Sequence, residues 1–187
     1  MDGINGIAGI TGIFTFALLG TYGVSTGQPS NLVNLCFAMA CTCGGFLPFN
    51  VPKARVFMGD VGSILLGFVY ACLVVCFAKT FGDFVVLIGF LFPFYADELV
   101  TMYVRIRDGQ NLTLPHRRHL YQILANELAI PHWKVSVAFG ILQLIVGVSV
   151  MAVREYGAWP VIFLLLAYFM AFIRYSAFVR KKTAARD

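Results

Sequence analysis

The feature that most restricts the fold of this chain is a series of six apolar segments, each close to the length that crosses a membrane. A helix needs roughly 20 residues to span the hydrocarbon core of a bilayer. Of the 187 residues, 59% are hydrophobic and 12% are charged, which is about half the charged share of ordinary soluble domains. We therefore predict that the whole chain, 1–187, is one all-α domain, a polytopic transmembrane helical bundle. Its six spans are predicted at 7–24, 31–49, 61–78, 84–104, 133–153 and 159–178.

The basic residues predict how this bundle is oriented. With six spans and a cytoplasmic N-terminus, all but two of the 14 Lys and Arg residues fall on one side of the membrane, and only Lys79 and Arg154 fall on the other. Cytoplasmic loops of membrane proteins carry such an excess of basic residues. Both termini and the loops 50–60 and 105–132 are therefore predicted to be cytoplasmic. The net charge of +5 follows from this topology, so no nucleic-acid partner is expected.

One polar cluster on the predicted cytoplasmic side surrounds Asp60, within the sequence FMGDVGS at 57–63. The glycines let a backbone approach a ligand closely, and Lys53 and Arg55 precede them. The Asp60 carboxylate is able to cap the helix that follows. It is equally able to bind a divalent cation that carries phosphate groups, since Mg²⁺ needs only one or two carboxylates in such a site. The spacing supports the two interpretations equally.

A second cluster is the sequence LPHRRHLYQ at 114–122, which contains His116, Arg117 and His119. Pro115 suits the first turn of a helix, and apolar residues follow at helical spacing as far as Leu128. We therefore predict a short amphipathic helix at the membrane surface, with both histidines on one face. Its imidazoles and guanidinium groups are able to bind a pyrophosphate. The alternative is a helix that only contacts lipid headgroups, and the pattern leaves both open.

Two other places carry acidic or amide side chains. Asp2 and Asn5 lie three residues apart at the start of the first span, on one helical face or in one tight loop. Asp97 and Glu98 lie within the fourth apolar segment, where a charge at the bilayer centre costs about 3 kcal/mol. Either Asp97 faces the interior of the bundle and helps a site, or the pair extends to the surface and pairs with Arg105. We favour the interior position for Asp97, because intramembrane acids usually face the bundle interior.

Together these clusters resemble three motifs of the polyprenyl-phosphate N-acetylhexosamine-1-phosphate transferases, glycosyltransferase family 4. Residues 1–9 resemble the second acidic motif of that family, residues 56–63 its most distinctive segment, and residues 115–122 its histidine motif. The similarity covers essentially the whole chain but corresponds only to the C-terminal part of a family member. It implies that a polyprenyl phosphate attacks the β-phosphate of a UDP-N-acetylhexosamine, giving a polyprenyl-diphospho-sugar and UMP, with Mg²⁺ or alternatively Mn²⁺ as cofactor.

The resemblance also implies roles for residues of this chain. Asp60 is implied to be the catalytic metal ligand, while Asp2 is implied to bind nucleotide and order the metal site, or to act as the base. The substrate-binding residues implied are Asn5, Lys53, His116, Arg117 and His119. The implied partners are polyprenyl phosphate, a UDP-sugar and the membrane, and formation of a homodimer is left open. The implied location is the bacterial inner membrane, with the active face cytoplasmic.

Two departures from the family pattern modify these expectations. Asn5 stands where cell-wall members of the family usually have a second Asp. An Asn at this position resembles the branch of the family that acts on modified sugars for O-antigen. An upstream Asp-Asp pair and about four N-terminal spans of the family are missing from these residues, so we expect a C-terminal fragment that does not catalyse the reaction alone. The alternative function is a non-catalytic membrane remnant, a scaffold or a transporter subunit. A transporter is disfavoured, because its ionisable residues should lie near the bilayer midplane.

Overall fold

The computed structural model describes residues 3–114 and 116–184, and at residue 184 it describes the backbone only. Every regular element in these ranges is helical, which confirms the all-α prediction. The α-helices are α1 (Ile7–Ser25), α2 (Ser30–Asn50), α3 (Gly59–Phe77), α4 (Phe81–Gly89), α5 (Phe92–Arg107), α6 (Leu120–Asn126), α7 (His132–Val153) and α8 (Ala158–Ala184). A short 3₁₀ turn, Arg154–Tyr156, separates α7 from α8.

Five helices, α1, α2, α3, α7 and α8, are long and apolar enough to cross a membrane, and α4 with α5 forms a sixth candidate span. The segment 84–104, which we predicted as one span, is therefore not one continuous helix, because α4 and α5 meet at an angle of 81°. Pro93 lies in the first turn of α5. A proline has no N–H to donate to the preceding turn, and its ring clashes with the carbonyl there, so a helix cannot continue straight through it.

The central helix of the bundle is α1. Of its most apolar window 72% is buried inside the protein, whereas the corresponding share of α2 and of α8 is 17%. Glycines in α1 allow neighbouring helices to approach closely, as small residues commonly do in membrane bundles. At Gly20, for example, a Cβ atom would lie only 2.8 Å from the ring of Phe37 in α2. The outward faces of α2 and α8 carry apolar side chains, as expected for helices that contact lipid.

Polar contacts define one end of the bundle. The Asn50 side chain accepts a hydrogen bond from the N–H of Gly6, and the hydroxyl of Ser136 donates to the carbonyl of Asn5 at 2.8 Å. We call this end, formed by residues 3–6, 50–60, 108–114 and 116–131, the polar end. At the opposite end, the Tyr22 hydroxyl donates to the Asp83 carboxylate at 2.6 Å.

These contacts determine how the chain traverses the bundle. The bent pair α4–α5 starts beside Tyr22 at the opposite end and finishes in the polar end, where Arg105 donates to the carbonyl of Leu114 at 3.0 Å. Near the other limit of the described chain, Arg180 donates to the carbonyl of Arg118 at 2.8 Å. The described residues closest to the two termini thus lie at the same end of the bundle. That this end is cytoplasmic stays a prediction.

Gly140 provides a test of the packing between α1 and α7. A Cβ atom there would lie 2.6 Å from Cγ2 of Ile10 and 2.8 Å from Cε2 of Phe14, so the two helices would have to move apart. We expect Gly140→Ala to lower the Tm of the protein in detergent, because overpacking a close contact costs about 1–3 kcal/mol. Gly67→Ala is the control, since a Cβ atom there meets nothing within 4 Å. Equal Tm values for the two variants would contradict this packing.

Candidate functional site

The polar end is organised around the side chain of Asn50, which our sequence reasoning missed. Its Oδ1 accepts a hydrogen bond from the N–H of Gly6 at 2.5 Å, and its Nδ2 donates to the carbonyl of Val56 at 2.8 Å. Asn50 is only 1% exposed, and its carboxamide ties the segment before α1 to the loop before α3. The signal that could have found it is a lone Asn at the very end of an apolar segment.

Asn5 joins three segments at this end. Its Nδ2 donates to the carbonyl of Pro52 at 3.4 Å, its carbonyl accepts from the hydroxyl of Ser136, and its N–H donates to Nδ1 of His132 at 3.4 Å. The side-chain amide of this predicted substrate-binding residue is therefore engaged with the loop that precedes α3. Asp2, the predicted catalytic residue beside it, lies outside the described residues.

Asp60 lies in the first turn of α3 with an exposed side chain. The helix begins at Gly59 and its N-cap residue is Met58, so Asp60 is the second helical residue and the N-cap interpretation is wrong. No other described residue forms a hydrogen bond or ion pair with the Asp60 carboxylate. A carboxylate in a first turn is stabilised by the positive end of the helix dipole. Asp60 is thus held at the polar end with its carboxylate available to a ligand.

Two of the predicted basic residues are likewise exposed at the polar end. Lys53 and Arg117 form no ion pair or side-chain hydrogen bond with the residues that the structure describes. Arg118 differs, because its Nη1 lies 2.6 Å from Oδ2 of Asp108. That hydrogen bond holds the pKa of the Asp108 carboxyl below its usual value. Of the two adjacent arginines, Arg117 is therefore the one whose guanidinium is available to a ligand.

The histidine segment is not helical where we predicted a helix. α6 begins at Leu120, and its N-cap residue is His119, so the predicted start in the first turn at Pro115 was wrong. Pro115 itself lies outside the described residues. The helix starts later because Oδ1 of Asp97, on α5, accepts a hydrogen bond from the N–H of Leu120 at 2.8 Å. A carboxylate that binds a free N–H at a helix N-terminus stabilises the start of the helix at that residue.

α6 also differs from a helix on the membrane surface. Leu120, Ile123 and Leu124 are 1%, 5% and 7% exposed and belong to the hydrophobic core. The apolar stripe that we assigned to lipid is therefore covered by the protein itself. Contact of the exposed basic residues of this segment with lipid headgroups stays the alternative to diphosphate binding.

The two histidines are neighbours in space although they do not share a helix. The centroids of the His116 and His119 rings are 4.8 Å apart, and the His119 ring stacks on Tyr121 at 5.4 Å with 6° between the planes. Burial, and next the neighbouring His116, lowers the pKa of His119 to about 4, although carboxylate oxygens of Asp97 and Glu98 lie 3.7 Å from its ring nitrogens. Burial also lowers the pKa of His116. At neutral pH both imidazoles therefore act as uncharged hydrogen-bonding groups.

Asp97 faces the interior, as we favoured from the sequence. It is 1% exposed, and besides the N–H of Leu120 its Oδ1 lies 3.3 Å from the hydroxyl of Thr101. The alternative, an ion pair with Arg105, is wrong. The Arg105 guanidinium instead donates to backbone carbonyls of the following loop, including that of Asn111 at 2.5 Å. The sequence predicted that an interior Asp97 helps a site without saying how, and the structure connects it directly to the histidine segment.

The structure brings residues 3–6 into contact with both the loop before α3 and the histidine segment. At Gly3 a Cβ atom would lie 2.8 Å from the hydroxyl oxygen of Tyr121, and Asn5 bonds to the loop at Pro52. No hydrogen bond or ion pair among the described residues joins Asp60 directly to the histidines. Within residues 3–114 and 116–184, no three His, Cys, Asp or Glu side chains are grouped so that they could hold a metal ion. Among the described residues, the metal prediction for Asp60 therefore depends on its own carboxylate.

Comparison with known proteins adds to this geometry. Residues 1–78 match the family model described as Glycosyl transferase family 4. The matched part contains Asn5, Asn50 and Asp60, and it ends before the bent pair α4–α5 and the histidine segment. No solved structure matches the chain.

Similar proteins come from several bacteria. An undecaprenyl-phosphate alpha-N-acetylglucosaminyl 1-phosphate transferase of Thermotoga maritima is 31% identical over 154 residues, which are 80% of this chain and 46% of the relative. A phospho-N-acetylmuramoyl-pentapeptide-transferase of Staphylococcus saprophyticus is 28% identical over 156 residues, 79% of this chain and 47% of the relative. A decaprenyl-phosphate N-acetylglucosaminephosphotransferase of Mycobacterium leprae is 27% identical over 171 residues, 75% of this chain and 42% of the relative.

The chain spans about half the length of the curated relatives it matches. The relatives nevertheless align over most of its length, beyond the segment that matches the family model. The aligned proteins are named phospho-sugar transferases, which agrees with the three motifs found in the sequence. The matched part of the chain, residues 1–78, belongs to glycosyl transferase family 4, and the relatives extend the similarity over most of the chain.

Proposed function

We propose that this protein transfers a phospho-N-acetylhexosamine from a UDP-sugar to a polyprenyl phosphate and releases UMP. The observation that carries the proposal is the contact of residues 3–6 with both the loop before α3 and the histidine segment, at one end of a membrane bundle. The names of the relatives support the substrates, since the Thermotoga maritima protein is named for undecaprenyl phosphate and an N-acetylglucosaminyl 1-phosphate group.

The proposed reaction is a displacement at phosphorus. An oxygen of the polyprenyl phosphate attacks the β-phosphorus of the UDP-sugar and forms a new P–O bond. The bond from that phosphorus to the oxygen shared with the α-phosphate breaks, and UMP leaves with this oxygen and the bonding electron pair. Because both reacting groups are phosphates, the protein mainly has to neutralise charge and hold the groups in line.

The available side chains of the polar end suit these tasks. Lys53 and Arg117 are exposed cations without a described partner, so they are proposed to bind phosphate oxygens. His116 and His119 are uncharged at neutral pH because burial lowers both pKa values. They are proposed to donate hydrogen bonds to the diphosphate. Asn5, held beside the loop at Pro52, is proposed to contact the substrate through its remaining amide oxygen.

Asp60 fits a share of a Mg²⁺ site, with Mn²⁺ as the alternative ion. Its carboxylate is exposed and unpaired among the described residues, and Mg²⁺ commonly binds one or two carboxylates together with phosphate oxygens of the substrate. A cation bound there would provide positive charge to the diphosphate. Asp2, outside the described residues, is proposed to help order this site or to act as the base.

An apolar groove supports a lipid substrate. It measures about 710 Å³, lies between the α4–α5 bend and α8, and is lined by residues such as Phe84, Phe92 and Phe169. Its wall includes Tyr95 and Glu98, which also line a smaller pocket of about 210 Å³ beside His119. An isoprenoid chain in the groove would therefore have its head close to the histidine segment.

The proposed location is the bacterial inner membrane, with the polar end on the cytoplasmic side. Lys53, Arg55 and Arg117 lie at this end, while Arg154 bonds to Ser25 at the opposite end, and basic residues favour the cytoplasmic side. The glycan that the reaction starts is proposed to be an O-antigen or another cell-surface polymer. The mass of the detergent-solubilised protein would show whether it forms a homodimer.

Release of UMP tests the proposed function. Membranes that contain the protein, expressed from its complete reading frame, are supplied with undecaprenyl phosphate, Mg²⁺ and each of a panel of UDP-N-acetylhexosamines. We expect UMP only when both the lipid phosphate and a matching UDP-sugar are present. No UMP with any sugar would favour the non-catalytic remnant, the scaffold or the transporter subunit.

Asp60→Asn should abolish UMP release while leaving the amount of folded protein in the membrane unchanged. The reason is that the amide keeps the size of the side chain but loses the charge that attracts a divalent cation. Glu155→Gln is the control, because it removes another exposed carboxylate, from the 3₁₀ turn at the opposite end. Turnover of Asp60→Asn at the rate of this control would refute the metal role.

His116→Ala should lower kcat/KM for the UDP-sugar by about 100-fold, the scale for loss of one donor to a developing phosphate charge. The ring is part of a pair with His119 and is not needed to start α6, whose first N–H binds Asp97. The Tm of the variant should therefore stay near that of the wild type. An unchanged rate would exclude His116 from diphosphate binding.

Stability should depend on pH through His119. Its pKa is about 4 in the folded protein against an ordinary value of 6.5, so the unfolded chain takes up the proton first as the pH falls. The contribution of the neutral ring to the free energy of unfolding is complete above pH 6.5. It is lost as the pH falls towards 4, because the unfolded chain then binds more protons than the folded protein. The Tm should fall over this window, and less steeply in His119→Gln. Equal pH slopes for the two proteins would show that His119 titrates normally.

A further inference from the structure

The backbone on both sides of His119 is held by side chains from distant helices. On one side, Nη2 of Arg180, in α8, donates a hydrogen bond to the carbonyl of Arg118 at 2.8 Å. On the other side, Oδ1 of Asp97, in α5, accepts a hydrogen bond from the N–H of Leu120 at 2.8 Å. These two backbone groups belong to the peptide units that flank His119. Fixing both units fixes the direction in which the His119 side chain leaves the backbone.

Thr101 connects the two holding residues. Its hydroxyl oxygen lies 3.3 Å from Oδ1 of Asp97, 3.1 Å from Nη2 of Arg180 and 3.4 Å from the carbonyl of Arg118. Thr101 is 1% exposed, as is Asp97. The hydroxyl therefore accepts from the guanidinium and has the carboxylate and the carbonyl as acceptors for its own proton. A buried network of this kind keeps a single arrangement because each change leaves a polar group unpaired.

The stacking of His119 removes most of its remaining freedom. Its ring lies nearly parallel to that of Tyr121, with 6° between the planes, and Tyr121 is itself 6% exposed. With both flanking peptide units held and one face of the ring covered, the imidazole edge has a defined direction. Positioning of this kind matters for catalysis, because a group displaced by about 1 Å loses much of its effect.

Neither Asp97 nor Arg180 is explained by the membrane alone. Asp97 is an almost fully buried carboxylate, which is costly unless it has partners. Arg180 stands in a basic run with Lys181 and Lys182, where a positive charge at the membrane surface would be enough. Those two lysines are exposed, whereas Arg180 is half-buried and its Nε also donates to the hydroxyl of Ser176 at 3.2 Å.

We propose that Asp97, Thr101 and Arg180 form a clamp that positions His119 for its hydrogen bond to the phosphate groups of the substrate. This inference rests on the proposed function, and it makes the three residues positioning residues that act through His119. Asp97 and Thr101 come from the helix after the bend, and Arg180 comes from the end of the last helix. The clamp therefore makes the placement of one site residue depend on how α5 and α8 lie against each other.

Amide hydrogen exchange of the purified chain tests the clamp without any need for turnover. We expect Asp97→Ala to raise the exchange rate of the Leu120 amide by about tenfold or more, the scale for losing one hydrogen bond to a charged group. Asp97→Asn should restore protection in large part, because its amide oxygen still accepts. Glu98→Gln is the control, since Glu98 lies as close to His119 but its side chain is 64% exposed. Exchange in Asp97→Ala that matches this control would overturn the clamp.

A double-mutant cycle tests whether the clamp acts through His119. Arg180→Gln should lower kcat/KM for UMP release by about tenfold. Lys181→Gln is the control, and its kcat/KM should stay within about twofold of wild type. That neighbouring lysine is exposed, and a surface charge contributes little. In a His119→Ala background, Arg180→Gln should have almost no further effect. The same loss in both backgrounds, or an equal loss in Lys181→Gln, would overturn the inference.

The two experiments separate this inference from the proposed function. If wild-type membranes release no UMP, the proposed function is wrong, and the exchange of the Leu120 amide still decides whether Asp97 holds the segment. If Asp97→Ala does not fold, the exchange rate of the Leu120 amide is measured in Arg180→Gln instead. Lys181→Gln is then the control. If the wild type is active and the cycle is additive, the reaction stands and the clamp is rejected.

Discussion

Polar groups inside an apolar bundle have no water to bind, so they must find partners within the protein or lie at its ends. This requirement accounts for several contacts between the described helices. The amide of Gln143 in α7 donates to the hydroxyl of Thr15 in α1 at 2.5 Å, and the hydroxyl of Tyr70 in α3 donates to the carbonyl of Leu87 in α4 at 2.6 Å. These two buried side chains thus link one helix to another. Other polar groups lie at the two ends, where loops from distant parts of the sequence meet.

At the polar end, the groups that hold the loops are different from the groups that are available to a ligand. Asn50 and Asp97 are each 1% exposed and bind backbone N–H groups of Gly6 and Leu120. Asp60, by contrast, extends into solvent without a described partner. This separation allows charged side chains to meet a ligand without releasing the contacts that keep the loops in place. It also explains why the exposed residues were easier to recognise in the sequence than the buried ones that support them.

The sequence predicted the helices that are simple in physical terms. Continuous apolar segments of bilayer length became α1, α2, α3, α7 and α8, because a long apolar helix has few other ways to satisfy its backbone. The bend between α4 and α5 was missed although Pro93 was visible, since the apolar run continues through it. The interior position of Asp97 was predicted correctly from the cost of exposing a carboxylate to lipid.

The rest of the candidate site could not be predicted, because it depends on contacts between residues far apart in sequence. The start of α6 is set by a carboxylate 23 residues earlier in the chain, so local helix signals around Pro115 were misleading. The role of Asn50 depends on a backbone N–H 44 residues away. Arg180 is indistinguishable in the sequence from its basic neighbours, and only its hydrogen bond to the carbonyl of Arg118 sets it apart.

The bend between α4 and α5 affects how the substrates of the proposed reaction would reach the protein. The groove beside it is bordered by Phe84, Leu99 and Leu166, which are 43%, 49% and 52% exposed, so it opens at the side of the described helices. For the proposed reaction, a long-tailed acceptor would enter and leave by diffusing within the plane of the membrane, while a nucleotide would come from the aqueous phase at the polar end. The two substrates would then enter by separate routes, one from the lipid and one from water, so neither would block the binding of the other.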